Sequence, residues 1–295
     1  MTTRTAIEAT SAFYQASFGM RFFRLALGAF ERLSPALGAR AARRLFCTPL
    51  PPKWMTRRAK WTAPWRTESW PFEDASVTVY SPAAAPHAPV ALLVHGWGGH
   101  ARQMLALAEV LAQQGLRPVL VEMPAHGHSA GTLSNLPQFA RAIEYVTARL
   151  LQQGHTIRVL AAHSLAANAA AHAASRGLAV ERLVLLAPPA SPREYTRLFA
   201  HVFGLSETTR MAMQKRIESG EGVLMQQFEP EAVGSRIRMP TLVVHDRNDS
   251  INAFADGQAY AHAIRGAQFV PTEGLGHRKI LKDAHVLGQV AIFAA

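Results

Sequence analysis

The run Val159-Leu-Ala-Ala-His-Ser-Leu-Ala-Ala-Asn168 decides the fold. Its apolar first half reads as a buried strand. Its second half starts an Ala-rich helix with no linker between the two. A strand that turns straight into a helix at a serine has the form of a nucleophile elbow, which holds the serine oxygen exposed at the edge of a sheet. Ser164 is that serine. The flanking positions must be small, because strand and helix pass closely there. They are Ala162 and Ala166.

The same alternation extends in both directions. Val90-Ala-Leu-Leu-Val94 reads as a buried strand with a helix at about 101–114 behind it. Pro118–Glu122 is the next strand, with a helix at about 135–153. Ile157–Ala161 leads into Ser164, and the helix after it runs to about 175. Arg182–Leu186, Pro240–Val244 and Gln268–Val270 are further strands. Continuous apolar strands separated by helices predict an α/β fold, with a mainly parallel sheet covered by helices on both faces. Residues 61–82 read as a hairpin with its turn at Glu73-Asp74, since Ser76–Tyr80 alternates with period two. The expected division is 1–60 as N-terminal basic amphipathic helices, 61–190 and 239–295 as the core, and 191–238 as a small helical cap inserted between two strands.

Three further segments carry chemistry. His95-Gly-Trp-Gly-Gly99 follows a buried strand, and its glycines allow backbone amides to turn toward a ligand. The Trp97 and Leu165 amides are the expected oxyanion hole. His277 lies in Gly274-Leu-Gly-His-Arg278, on a Gly-rich loop that can carry its ring over Ser164. For the acid there are two candidates in His245-Asp-Arg-Asn-Asp-Ser250. Asp249 is preferred, because it stands beyond the strand end where a loop can reach an imidazole. Asp246 is expected to cap the turn. Met123-Pro-Ala-His-Gly-His-Ser129 contains His126-x-His128, but no acidic or Cys partner stands at ligand spacing, so no metal site is expected. No cofactor is expected either.

Taken together, these motifs resemble the α/β-hydrolase superfamily, in the chain order oxyanion loop, Ser, Asp, His. They look closest to a bacterial group with His-Gly-Trp-Gly-Gly and a Gly-Leu-Gly-His ending. The resemblance covers roughly 60–295. Ala162, Ala166 and Ala125 stand where members usually have Gly. It implies a serine hydrolase of the carboxylesterase kind, with Ser164 as nucleophile, His277 as base, Asp249 orienting it, and an acyl-enzyme intermediate. The superfamily's Asp-nucleophile dehalogenases and epoxide hydrolases are disfavoured by Ser164. The same groups would serve a thioesterase, a lactonase or an acyltransferase, and a catalytically silent protein that binds a lipid or a partner is the alternative of another class. The substrate is expected to be a small-molecule ester held partly by the cap.

Charge is uneven. Of the net +11, residues 1–66 hold twelve Lys/Arg against Glu8 and Glu31. Residues 67–295 are nearly balanced, so a nucleic-acid partner is not expected. The arginines lie beside a Phe/Leu arc over 18–33, where Phe18, Phe22, Phe23, Leu25, Phe30 and Leu33 recur at helical spacing. Two roles suit this segment: peripheral contact with an anionic membrane, or docking on the body near the cap. Docking is preferred, because the arc is wider than an interfacial helix needs. Cys47 is the only cysteine, which excludes an intrachain disulfide and fits a reducing, cytoplasmic setting. No stretch reads as a transmembrane helix.

Overall fold

Val90–Val94 (β3) is buried at every residue, and so are the residues of Ile157–His163 (β5) apart from Arg158. Strands without a polar face can only sit inside a sheet that is covered on both sides. The computed structural model describes residues 18–56, 61–83 and 87–295. It places β3 and β5 side by side at the centre of one sheet, with Val94 opposite Ala162. Among the described residues the sheet has eight strands in the order β1-β2-β4-β3-β5-β6-β7-β8. The others are β1 (Trp65–Phe72), β2 (Ala75–Pro82), β4 (Arg117–Glu122), β6 (Arg182–Leu186), β7 (Thr241–Asp246) and β8 (Gln268–Thr272). β1 and β2 form an antiparallel hairpin and β2 pairs antiparallel with β4. From β4 to β8 every pairing is parallel.

Helices cover both faces. On one lie Leu136–Gln152, Leu165–Ser175 and Phe254–Ala263, in a core that includes Phe139, Ile143 and Tyr260. On the other lie Leu105–Gln113 and Ala284–Ala294, around Leu107, Leu111, Val286 and Val290. The expected helix at 101–114 opens with a 3-10 turn, Ala101–Met104, before it becomes α-helical. The helix after Ser164 is buried from Ala166 to Ser175. Its alanines let it lie close against the strands, and this is what a helix wedged between sheet and neighbours requires.

Between β6 and β7 the chain forms helices Pro192–Phe203 and Glu207–Glu221. The later part of the 191–238 segment differs from an insertion that stands apart. Phe228, Val233 and Ile237 belong to the main core, since the short turns from Met225 to Arg236 pack on Leu165–Ser175. The 192–221 pair contributes instead to a separate apolar cluster, through Val202, Phe203, Met213 and Ile217. Helix Pro35–Phe46 packs along Glu207–Glu221 and, with Phe18–Leu33, shares this cluster. That cluster includes Leu27, Ala42, Val202, Phe203, Met213 and Ile217. Leu25, Phe30, Leu33 and Leu37 stay exposed. The part of the expected N-terminal helices that precedes residue 18 lies outside the described residues. Among the described residues no helix is long and apolar enough to cross a membrane.

Candidate active site

Because β3, β5, β7 and β8 run parallel, their C-terminal ends share one edge. The segments that follow them carry His95–Gly99, Ser164, Asp249 and His277 to that edge, where open α/β sheets bind ligands. Ser164 sits at φ 56° and ψ −128°, a left-handed conformation that costs a non-Gly residue on the order of 1–3 kcal/mol. Its amide is held by the Leu186 carbonyl at 2.9 Å. Ala162 and Ala166 are fully buried on either side. A Cβ on Gly96 would come within 2.7 Å of the Ser164 Cβ, so the loop after β3 can approach the serine this closely only without a side chain.

His277 reaches Ser164 from the short helix Gly276–Lys279. The Ser164 hydroxyl donates to its Nε2 at 3.0 Å, and its Nδ1 donates to Asp249 Oδ2 at 2.7 Å. Asp249 Oδ1 accepts the Ile251 and Asn252 amides at 2.8 and 3.0 Å. Burial would raise the Asp249 carboxyl, but these bonds, together with His245 and His277, hold it well below the ordinary carboxylate value. Asp246 does other work. Its carboxylate accepts the Asn248, Leu275 and Gly276 amides and the Thr272 hydroxyl, which ties the β7 loop to the loop that bears His277.

The loop after β3 is locked from behind. The His95 Nδ1 donates to the Gly96 carbonyl at 2.7 Å while its Nε2 accepts the Met123 amide at 3.2 Å. The His126 Nδ1 donates to the Pro124 carbonyl at 2.9 Å, and its Nε2 accepts the Gly98 amide at 3.0 Å. Both rings must be neutral to accept at Nε2. Burial agrees, pushing His95 down to about 3 and His126 to about 4. His128 faces Glu122 and Tyr80 instead, so His126 and His128 serve different partners. No acceptor among the described residues takes the Trp97 or Leu165 amide proton. Both residues line, with Ser164 and His277, a cavity of about 1210 Å³. Leu198, Phe199, Val202 and Phe203 of helix Pro192–Phe203, with Leu45, Phe46 and Leu50, supply part of its apolar wall. Arg102, Gln103, Arg278 and Lys282 line another part.

A family model described as serine aminopeptidase, S33, matches residues 85–222. Among solved structures, a putative lipase from Acinetobacter baumannii superposes with a TM-score of 0.59 at 16% identity, over 78% of this chain and 91% of that one. Est1E from Butyrivibrio proteoclasticus, solved with ferulic acid, gives 0.60 at 19% identity, over 77% and 96%. The esterase Pf2001 from Pyrococcus furiosus gives 0.59 at 16%, over 80% and 95%. The chain has the α/β-hydrolase fold. At these identities the likeness to solved structures carries the fold alone. No curated protein matches the chain by sequence.

Several residues that shape this candidate site do not stand out in the sequence. The His163 Nε2 donates to the His277 carbonyl at 2.9 Å, and the two rings lie 4.6 Å apart. Burial holds His163 neutral, with its pKa down to about 3. Its signal was its place beside Ser164. His245, at the end of β7, has Nε2 3.5 Å from Asp249 Oδ2. Asn252 supplies its amide to Asp249 and its side-chain Nδ2 to the Ala187 carbonyl. Nothing local marks Asn252, because any residue's amide could serve Asp249 and its side-chain partners, Ala187 and Tyr195, are remote in the sequence.

Proposed function

We propose that the protein is a serine hydrolase that cleaves a carboxylic ester through an acyl-enzyme. One observation carries the reading. A continuous chain of hydrogen bonds, Asp249 to His277 to Ser164, ends at the floor of a large cavity beside two unpaired amides. His277 takes the Ser164 proton as Oγ attacks the ester carbonyl, and Asp249 holds the imidazole in the tautomer that leaves Nε2 free to accept. Negative charge then develops on the carbonyl oxygen, where the Trp97 and Leu165 amides can meet it without reorganising. His277 returns the proton to the departing alkoxide. Water, activated by the same base, releases the acid.

An ester is favoured over an aminopeptidase substrate by the cavity wall. A free amino terminus needs carboxylates to hold its ammonium group. Among the described residues, Glu109 is the one carboxylate lining the cavity, against Arg102, Arg278 and Lys282. A fluorophosphonate probe should label the native protein, and p-nitrophenyl esters should be turned over. The substitution Ser164→Ala should abolish labelling and cost on the order of 10⁶-fold in turnover while far-UV circular dichroism is unchanged. Full labelling of that variant would overturn the assignment.

A further inference from the structure

Part of the cavity wall comes from outside the hydrolase core. Leu45, Phe46, Thr48 and Leu50 line it. The Phe46 ring meets Phe199 edge-on at 5.3 Å, and Phe199 leans on Phe203 at 4.5 Å. The segment is tied down along its length. The Cys47 carbonyl accepts the Ser134 amide at 2.8 Å. Lys53 Nζ donates to the Ser129 and Gly131 carbonyls at 3.1 and 2.7 Å. Between these ties, the Leu50 carbonyl oxygen lies against Gly98, so closely that a Cβ on Gly98 would run into it. The N-terminal segment therefore abuts the loop that bears the Trp97 amide.

The two parts of the wall differ in chemistry, and the proposed reaction says which part of an ester each would take. The leaving oxygen receives its proton from His277, so the alcohol portion lies on the His277 side. There Arg278 and Lys282 follow in the chain and supply polar groups. The acyl portion is left with the apolar side under Pro192–Phe203. Phe46, Phe199 and Phe203 offer hydrocarbon surface there, and only the hydrophobic effect rewards filling it.

We infer that this side of the cavity binds the acyl chain of an aliphatic ester between helix Pro192–Phe203 and residues 45–50, and that Phe46 sets the chain length accepted. The inference rests on the acyl-transfer reading for its orientation, but chain binding itself does not need turnover. Straight-chain fatty acids from butanoate to hexadecanoate are titrated against a bound dansylaminoundecanoate probe in the full-length Ser164→Ala protein. Affinity should rise up to about fourfold per methylene and then level off at a limiting length. Phe46→Trp should move that limit to shorter chains and Phe46→Ala to longer ones. In the native protein, kcat/KM for p-nitrophenyl esters should show the same limit.

Failure to bind the probe overturns the inference. So does a chain-length profile with the same limit in native, Trp and Ala proteins, because a merely structural Phe46 would weaken all lengths alike. The two readings fail separately. Length-limited binding without turnover of any ester leaves the chain site standing and removes the hydrolase. Turnover of short esters with no dependence on length removes the chain site and leaves the hydrolase.

Discussion

Asp246 and Asp249 are three residues apart and have opposite kinds of work. Asp249 meets His277, and a neutral amide in its place could present its NH₂ to Nδ1 and favour the wrong imidazole tautomer. Asp249→Asn should therefore lower kcat on the order of 10⁴-fold with little loss of stability. Asp246 receives four hydrogen bonds from the loops. Asp246→Asn should act mainly on stability, by about 1–3 kcal/mol, since one amide donor would face backbone donors. Ester assays and urea titrations on both variants check the contrast, and the reverse ranking would assign the acid to Asp246. Gly96→Ala presses on the Ser164 Cβ. It should cut kcat/KM by at least about tenfold, the scale on which small displacements of a reacting group act. Unimpaired kinetics in this variant would mean that the loop after β3 relaxes freely.

At the scale of elements, the N-terminal helices decide how much of the molecule is one unit. Ala39 and Ala42 of helix Pro35–Phe46 are fully buried where it packs along Glu207–Glu221. Small residues there let the two helices approach closely. Glu31 adds a bond to the Ser206 amide at 3.1 Å. Deleting residues 1–45 would expose the side of this contact formed by helices Pro192–Phe203 and Glu207–Glu221, including Val202, Phe203, Met213 and Ile217. The truncated protein should melt at lower temperature and be more prone to aggregate, as scanning calorimetry and light scattering would report. Equal stability, with loss only of salt-sensitive binding to anionic liposomes, would give the segment a membrane role instead. The exposed Leu25, Phe30, Leu33 and Leu37 would then be its contact.

For the whole molecule, three buried histidines make stability depend on pH well above the range where carboxylates protonate. His95 and His163 are held down to about 3 and His126 to about 4, in each case chiefly by burial. An unfolded histidine titrates near 6.5, so below that pH the unfolded chain binds protons that the folded one refuses. Stability should therefore fall as pH drops from about 6.5, by up to about 1.4 kcal/mol per pH unit for each ring. Asp249 works at lower pH. Its depressed carboxyl stabilises the fold above the ordinary carboxylate pKa of about 3.9, and that contribution is lost below it. Unfolding free energies from urea titrations at pH 8, 7, 6 and 5 check this. Equal values at pH 7 and pH 5 would mean that these rings are not buried as neutral groups.

The sequence by itself determined the strand–helix alternation and the place of the turn at Ser164. Both are local properties: a strand buried on two faces must be continuously apolar, and an elbow must have small residues beside it. The glycines of His95–Gly99 were legible for the same reason. Only the tertiary structure decided which groups meet. Sequence spacing left two carboxylates within reach of His277, and the path of the loop after β7 puts Asp249 on Nδ1 and Asp246 on the backbone. Local spacing names no partner for His126, and the fold supplies the Gly98 amide, 28 residues away. Nothing in the sequence singles out Phe46, which stands in the cavity wall against Phe199. Such contacts depend on shape and on the satisfaction of particular buried donors across the fold, and neither leaves a periodic trace in the chain.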